Sequence, residues 1–289
     1  MQNHHDMKET LMKYMFMLCA CVSILSIVLI FYFIFSGGVP FIVKHGIGEF
    51  LFGTSWRPTA STPTFGILPM IVGSLIVTTG AIMIGVPIGV LTAVFMVYFC
   101  PPKLYRLMKP AINLMAAIPS IVYGFFALQI FVPLFRVFGG SGMNMMTASL
   151  LLGIMILPTV IGLSESAIRA VPASYYAASV GLGATHERSV MTVVVPAAKS
   201  GILSAVILGI GRAIGETMAV ILVAGNQPRI PMALNQGVRT MTTNIVMEMA
   251  YAAGEHREAL IATSVVLFVF ILLINTAFMV VKTKGGNRS

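Results

Sequence analysis

The sequence predicts an all-α protein that threads a membrane six times, and three observations lead there. Of 289 residues, 57% are hydrophobic and only 9% are charged, with a mean hydropathy of +0.94. A soluble domain carries about 25% charged residues, so a bilayer is the natural solvent for this chain. The apolar residues gather into six runs, at about 14–35, 68–99, 110–135, 146–168, 200–225 and 258–281. A bilayer core of about 30 Å takes roughly 20 such residues per helix. The runs show no strand-like alternation, and backbone inside lipid must satisfy its own hydrogen bonds, so the expected elements are helices.

The first run follows a short polar stretch, 1–13, expected to be a cytoplasmic tail. No Ala-x-Ala-like cleavage site follows the run, so 14–35 reads as a retained first span rather than a signal peptide. Residues 36–67 form an expected external loop with Trp56, Pro58 and Pro63. The remaining spans lie in 68–281, and 282–289 form a second cytoplasmic tail. Several runs carry small or helix-breaking residues: Gly85-Val-Pro-Ile-Gly89, Pro119 with Gly124, and Gly209, Gly211 and Gly215. Small residues let helices approach, and the Gly211-x-x-x-Gly215 spacing fits close packing.

The net charge is +9, from 18 Lys and Arg against 9 Asp and Glu. The cations lie between the apolar runs, and no basic patch interleaves with aromatics, so the charge speaks for membrane orientation rather than nucleic acid. Alternate segments hold eleven and six cations, with Arg212 left over inside a run. The positive-inside rule then places both termini and residues 169–199 in the cytoplasm. The three cysteines, Cys19, Cys21 and Cys100, read as small packing residues with no disulfide required. His4, His5, His45, His186 and His256 are scattered and read as exposed loop residues. No metal cluster, cofactor motif or nucleophile–base pair appears, so the chain does not read as an enzyme. The loop 226–257, with Arg229, Arg239, Thr240, Asn244, Glu248 and Glu255, either meets an external partner or folds back onto the helix ends.

Residues 169–199 read RAVPASYYAASVGLGATHERSVMTVVVPAAK. The stretch is too polar to span. A helix over 173–180 is broken by Gly181-Leu182-Gly183, and a second over 185–195 ends at Pro196. Glycine supplies the backbone angles of a helix end, and proline can open the next helix. The expected shape is a knob at the membrane face. GLGAT lacks the lysine of a phosphate loop, and Gly-x-x-x-x-Gly-Lys-[Ser/Thr] occurs nowhere in the chain.

The fifth run contains GIGRAIGETMAV, residues 209–220. Arg212 falls near its middle. Its side chain reaches about 6 Å against a half-thickness of about 15 Å, so snorkelling to either surface falls short. A charge there costs about 2.5–3.5 kcal/mol on insertion scales. Glu216 is four residues on, which on one continuous helix makes the two neighbours able to neutralise each other. A pure lock could be replaced by apolar packing, so the pair reads as a gate for oxyanions, with the guanidinium fork as donor. A hydrogen phosphate carries an O–H that the Glu216 carboxylate would accept, and sulfate carries none. Arg212, Glu216 and the adjacent Thr217 are the candidate substrate path.

The 169–199 segment resembles the coupling motif of ABC-importer permeases, Glu-Ala-Ala-x3-Gly-x9-Ile-x-Leu-Pro, through Ala177-Ala178-Ser179, Gly183 and Val193-x-Val195-Pro196. Ala177 stands where that family usually has glutamate. The stretch GILSAVILGIGRAIGETMAV, with FLFGTSW (50–56), FGILPMIVGSLIVT (65–78), AAIPSIVYGFFAL (116–128) and VRTMTTNIVMEM (238–249), is similar to the C-type membrane subunit of phosphate ABC importers. The resemblance implies a MetI-like permease fold in the inner membrane. It implies an A-type permease as heterodimer partner, a separate homodimeric ATPase, and an external phosphate-binding protein. Tyr176, Ala177, Ala178, Ser179, Gly183, Ala184 and Pro196 would then face the ATPase. The rival readings are a permease for molybdate, sulfate or phosphonate, and an ion-coupled secondary transporter.

Overall fold

The computed structural model describes residues 2–286; Met1 and the end of the expected second tail, 287–289, lie outside the described residues. The described chain is mostly helical, with one small hairpin and an isolated bridge between Gly225 and Val238. Helix α1 (Gln2–His45) is followed by α2 (Ile47–Phe52) and the hairpin β1 (Trp56–Arg57) and β2 (Thr64–Phe65), paired Trp56 to Phe65. Helix α3 (Leu68–Val94) runs on through a π-helical turn, Phe95–Phe99. Then come α4 (Pro102–Ala117), α5 (Ser120–Arg136) and α6 (Met145–Arg169). The short helices α7 (Ala173–Gly181), α8 (His186–Ser189) and α9 (Val195–Ala197) follow, with a second π-helical turn, Val190–Val194, between the last two. The chain closes with α10 (Lys199–Gly215), α11 (Met218–Val223), α12 (Met241–Met249) and α13 (Glu255–Gly286).

Among the described residues, four helices are long and apolar enough to cross a membrane, and six crossings result if each of two sharply bent helix pairs counts as one. The expected run 110–135 is one of these pairs: α4 and α5 meet at 100° around Ile118–Pro119. Proline at 119 offers no amide proton to continue α4, and the extended Ile118 turns the chain. The second pair joins His186–Ala197 to α10 at 68°. Residues 2–13 of the expected tail are helical and continuous with α1. At 1.5 Å per residue its 44 residues measure about 66 Å, twice the bilayer core.

The core is α3 laid against α6, with α10 behind α6. In lipid no hydrophobic drive brings helices together, so close packing must. A Cβ on Gly85 would stand 2.6 Å from the Gly153 carbonyl oxygen and 2.6 Å from Ile156 Cγ1. Gly85→Leu is therefore expected to force the two helices apart; overpacking of this kind costs about 1–3 kcal/mol. Thermal unfolding in detergent checks it, and an unshifted midpoint would mean the helices are not held at this separation. On α10 close contacts are made by Gly201, where a Cβ would stand 2.4 Å from Ala167 Cβ, and by Gly209, where it would meet Val160 Cγ2 at 2.9 Å. Gly211 and Gly215, expected to pack, face open space. Their spacing sets them on the opposite side of the helix from Gly209.

Helix α1 packs on α13 through its second half, where Phe31 meets Phe268 at 4.5 Å between ring centres. Its first half is exposed within this chain, Cys19 and Cys21 included, so these cysteines do not pack here as expected. Beyond α1, a cluster of Phe41, Phe50, Trp56, Phe65, Met70, Met241 and Leu260 seals one end of the bundle, called here the hairpin end. The stretch 238–249 belongs to this seal. Of the two readings open for it, α12 takes the second: Met241, Thr242, Thr243, Asn244 and Glu248 are buried. A reciprocal Thr240–Thr243 cap starts the helix.

Candidate functional site

The most consequential departure from expectation lies in the fifth run. Helix α10 stops at Gly215, Glu216 is extended (φ −69°, ψ 130°), and α11 begins at Met218. Arg212 and Glu216 are therefore not neighbours on one helix, and among the described residues no ion pair joins them. Each charge is instead matched to its own helix end. Arg212 sits in the last turn of α10, where unpaired carbonyls favour a cation. Glu216 Oε1 accepts the Thr217 and Ala219 amides at 3.1 and 3.2 Å, at the start of α11, where a carboxylate is favoured. Thr217 Oγ1 donates to the Gly215 carbonyl, and Thr242 Oγ1 from α12 donates to the Glu216 carbonyl. The freed backbone groups of the break are thus taken up by neighbouring hydroxyls.

Helix α10 has two distinct sides. Ala205, Gly209, Ile210, Ala213 and Ile214 are buried, whereas Leu208 and Gly215 are exposed. Arg212 lies with Leu208, Gly211 and Gly215 on the open side, half-buried. Its guanidinium makes no hydrogen bond or ion pair among the described residues. The chain thus carries an unpartnered fork of donors on an open helix face next to a break in a span.

At the other end of the bundle the 169–199 segment forms a bent pair. Gly183 adopts φ +88°, in the left-handed region that an L side chain rarely enters. Its amide reaches the Val180 carbonyl at 2.9 Å, and the Ala184 amide reaches that of Ser179 at 3.2 Å. Ala177, Ala178 and Pro196 are exposed, Ser179, Ala184 and Tyr176 half-buried. The apex of the turn is Leu182, which is 90% exposed. His186, expected as an exposed loop residue, is instead half-buried at the start of α8 and bonds Tyr176 and the Tyr98 carbonyl at the end of α3. Nearby, the buried Glu165 of α6 accepts from Tyr105 and Lys109 of α4, both at 2.7 Å, and from Arg169 at 3.0 Å. This hub, which ties the α4 elbow to the root of α7, gave no signal because its partners on α4 lie 56 and 60 residues away.

A third cluster lies at the hairpin end. Glu248 of α12 accepts from Trp56 Nε1 at 2.9 Å, from Arg239, and faces His256 Nε2 at 2.7 Å. Arg239 also donates to Asn244 and to the Asn226 carbonyl, both at 3.0 Å. His256, expected exposed, is 8% exposed. His45 is not a loop residue either: it ends α1, half-buried, its ring stacked on Phe41. The His4 and His5 side chains lie outside the described ones. A cavity of about 450 Å³ opens beside this cluster, between Trp56–Ala60 and Tyr251. Burial pushes the Tyr251 phenol up, Glu248 adds to that, and Arg239 offsets part of it.

The model for the family described as "Binding-protein-dependent transport system inner membrane component" matches residues 85–283. Among curated relatives, the "Probable ABC transporter permease protein YqgH" of Bacillus subtilis is 36% identical over 89% of this chain and 86% of its own length. The "Phosphate transport system permease protein PstC" of Haemophilus influenzae is 34% identical over 84% of this chain and 85% of its own. That of Mesorhizobium japonicum is 33% identical over 83% and 80%. Among solved structures, an inward-facing MetNI methionine ABC transporter superposes with a TM-score of 0.61 at 21% identity, covering 76% of this chain and 95% of that one. At that identity the likeness speaks for the fold alone. The matched family model, the full-length relatives and this fold together make the chain a member of the binding-protein-dependent ABC transport permeases, a multi-pass membrane subunit and not an enzyme.

Proposed function

We propose that the chain is the membrane-spanning permease subunit of an ATP-driven inorganic phosphate importer. It forms the translocation path with a second, A-type permease, is driven by a separate ATPase homodimer, and receives substrate from an external phosphate-binding protein. The observation that carries the reading is the free guanidinium of Arg212 on an open face beside a broken span. Such breaks in transporter helices are where substrate groups are met. The phosphate-transport relatives point to the same anion. Both termini and the Gly183 knob lie in the cytoplasm, in keeping with the excess of cations there, and the hairpin end faces outward. The exposed Ala177–Ala178 surface, Leu182 and Pro196 dock on the ATPase. The open face of α10 is closed by the A-type partner.

In this reading Arg212 supplies the donors and Glu216 the acceptor for the proton of hydrogen phosphate. Leaving a carboxylate unpaired against sulfate is costly in a dry site. The test is ATP hydrolysis by the complex of permeases, ATPase and phosphate-binding protein in liposomes. Phosphate is expected to stimulate it, and sulfate and molybdate are not; equal stimulation by the three overturns the phosphate assignment. Glu216→Gln keeps an oxygen for the α11 amides and removes the charge. It is expected to reduce the preference for phosphate over sulfate about tenfold. Unchanged preference removes Glu216 from the path.

A further inference from the structure

We propose that Tyr176, His186 and the last turn of α3 form a clip that fixes the angle of the coupling segment and passes its displacement to the spans. The proposal rests on reading 169–199 as the segment that docks on the ATPase. It starts from a gap: Ala177 carries no charge where the family usually has glutamate, so no ion pair can anchor the segment from that position.

The structure holds the segment elsewhere. Tyr176, on α7, and His186, the first residue of α8, stand on either side of the Gly183 turn. The Tyr176 hydroxyl lies 2.7 Å from His186 Nδ1, and His186 Nε2 lies 3.2 Å from the Tyr98 carbonyl. One arrangement of protons satisfies both contacts: Nε2–H donates to the carbonyl, and the tyrosine hydroxyl donates to Nδ1. The Tyr98 carbonyl is available because it belongs to the π-helical turn that ends α3, where the last carbonyls have no partner of their own. Rings close over the bonds: Phe99 stands edge-on to His186 at 4.9 Å, and Tyr98 lies 5.6 Å from Tyr176. Beneath them Val190 and Val194 share a buried cluster with Ala93, Val94 and Met96 of α3.

Among the described residues of 173–197, His186 is the one whose side chain hydrogen-bonds a spanning helix. The clip therefore joins three elements through one imidazole. Two π-helical turns meet at this joint, and such turns often mark functional sites. From α3 the contact continues through the close approach of Gly85 to α6, and from α6 through Val160 to Gly209 of α10, the helix that bears Arg212. A push on the knob is thereby delivered to the helix of the anion site.

The test uses the full complex in liposomes and two readouts. The first is phosphate moved per ATP split. His186→Ala is expected to lower it by about three- to thirty-fold, the range over which residues along a coupling network modulate it, while ATP hydrolysis persists. Tyr176→Phe, which keeps the ring and loses one bond, falls between. His186→Gln can accept from Tyr176 and donate to Tyr98, and restores most of the wild-type ratio. A general packing role would lower hydrolysis and transport together and would not be rescued by glutamine. The second readout needs no phosphate. Spin labels on native Cys100 and on Ser174→Cys, with Cys19 and Cys21 replaced by alanine, report the distance between the end of α3 and α7. On vanadate trapping it stays fixed in the otherwise wild-type chain and shifts or broadens in His186→Ala. The same distance behaviour in both, or wild-type coupling in both His186→Ala and Tyr176→Phe, overturns the clip. A wild-type complex that ignores phosphate overturns the phosphate reading instead, and the label distance still decides the clip.

Discussion

Cells that depend on this subunit are expected to stop accumulating phosphate when Arg212 is replaced by alanine. The guanidinium makes no hydrogen bond or ion pair among the described residues, so its loss removes no such bond there. What it removes is a set of donors to a passing anion. Hydrogen bonds to charged groups contribute about 1.5–3 kcal/mol each, so one lost contact alone slows transport roughly 10- to 150-fold. Arg212→Lys keeps the charge without the fork and is expected to fall between. The protein itself should be no less stable, because an unpaired central charge costs insertion energy of about 2.5–3.5 kcal/mol. Radiolabelled phosphate uptake, normalised to the amount of subunit in the membrane, measures the first effect, and the thermal midpoint in detergent measures the second. Uptake at the wild-type rate in Arg212→Ala removes the site from the path. A large drop in midpoint would make Arg212 a structural residue instead.

The opposite profile is expected at Glu248, where the loss is one of fold. Its side chain is 9% exposed and Arg239's is 12% exposed. Trp56, Arg239 and His256 all converge on this one carboxylate. Glu248→Ala leaves the Trp56 indole N–H and the His256 imidazole without their acceptor, and leaves the buried Arg239 guanidinium with the neutral oxygens of Asn226 and Asn244 but no counter-charge. Breaking a buried pair from one side costs about 3–5 kcal/mol. The hairpin 56–65 and α12 should loosen together, seen as a lowered thermal midpoint and as new protease cuts near Pro58 and Pro63. Glu248→Gln keeps acceptor oxygen and is expected to lose less. A midpoint equal to wild type would mean that water or lipid headgroups take over the three donors without cost.

The contrast between these two sites shows what a sequence can reveal in a membrane protein. Arg212 was legible because a charge inside an apolar run is anomalous wherever its helix lies. Glu165 and Glu248 were not, although both are buried. Each sits near the end of a run or in a loop, where a charge is ordinary, and their distant partners come from as far as 192 residues away. The break at Gly215–Thr217 was missed for a different reason. Four-residue spacing inside an apolar run reads as one helix, and what ends the helix is a set of acceptors and donors from Thr242 and Glu216 itself. Pro119, by contrast, announced a disturbance, although not that it amounts to a 100° elbow.

The sequence by itself determined the solvent of this protein, the number of its apolar runs and the glycine turn at 183. These follow from local chemistry: transfer into lipid is summed along a run, and a left-handed turn is decided by one residue. Only the tertiary structure decided which helix faces are closed and which charges meet. Lipid is as apolar as a core, so hydrophobicity does not mark the packed side of a span, and Gly209 and Gly211 look alike in sequence. The side that packs is chosen by the fit of one helix to another, and that fit exists only once the whole bundle is assembled.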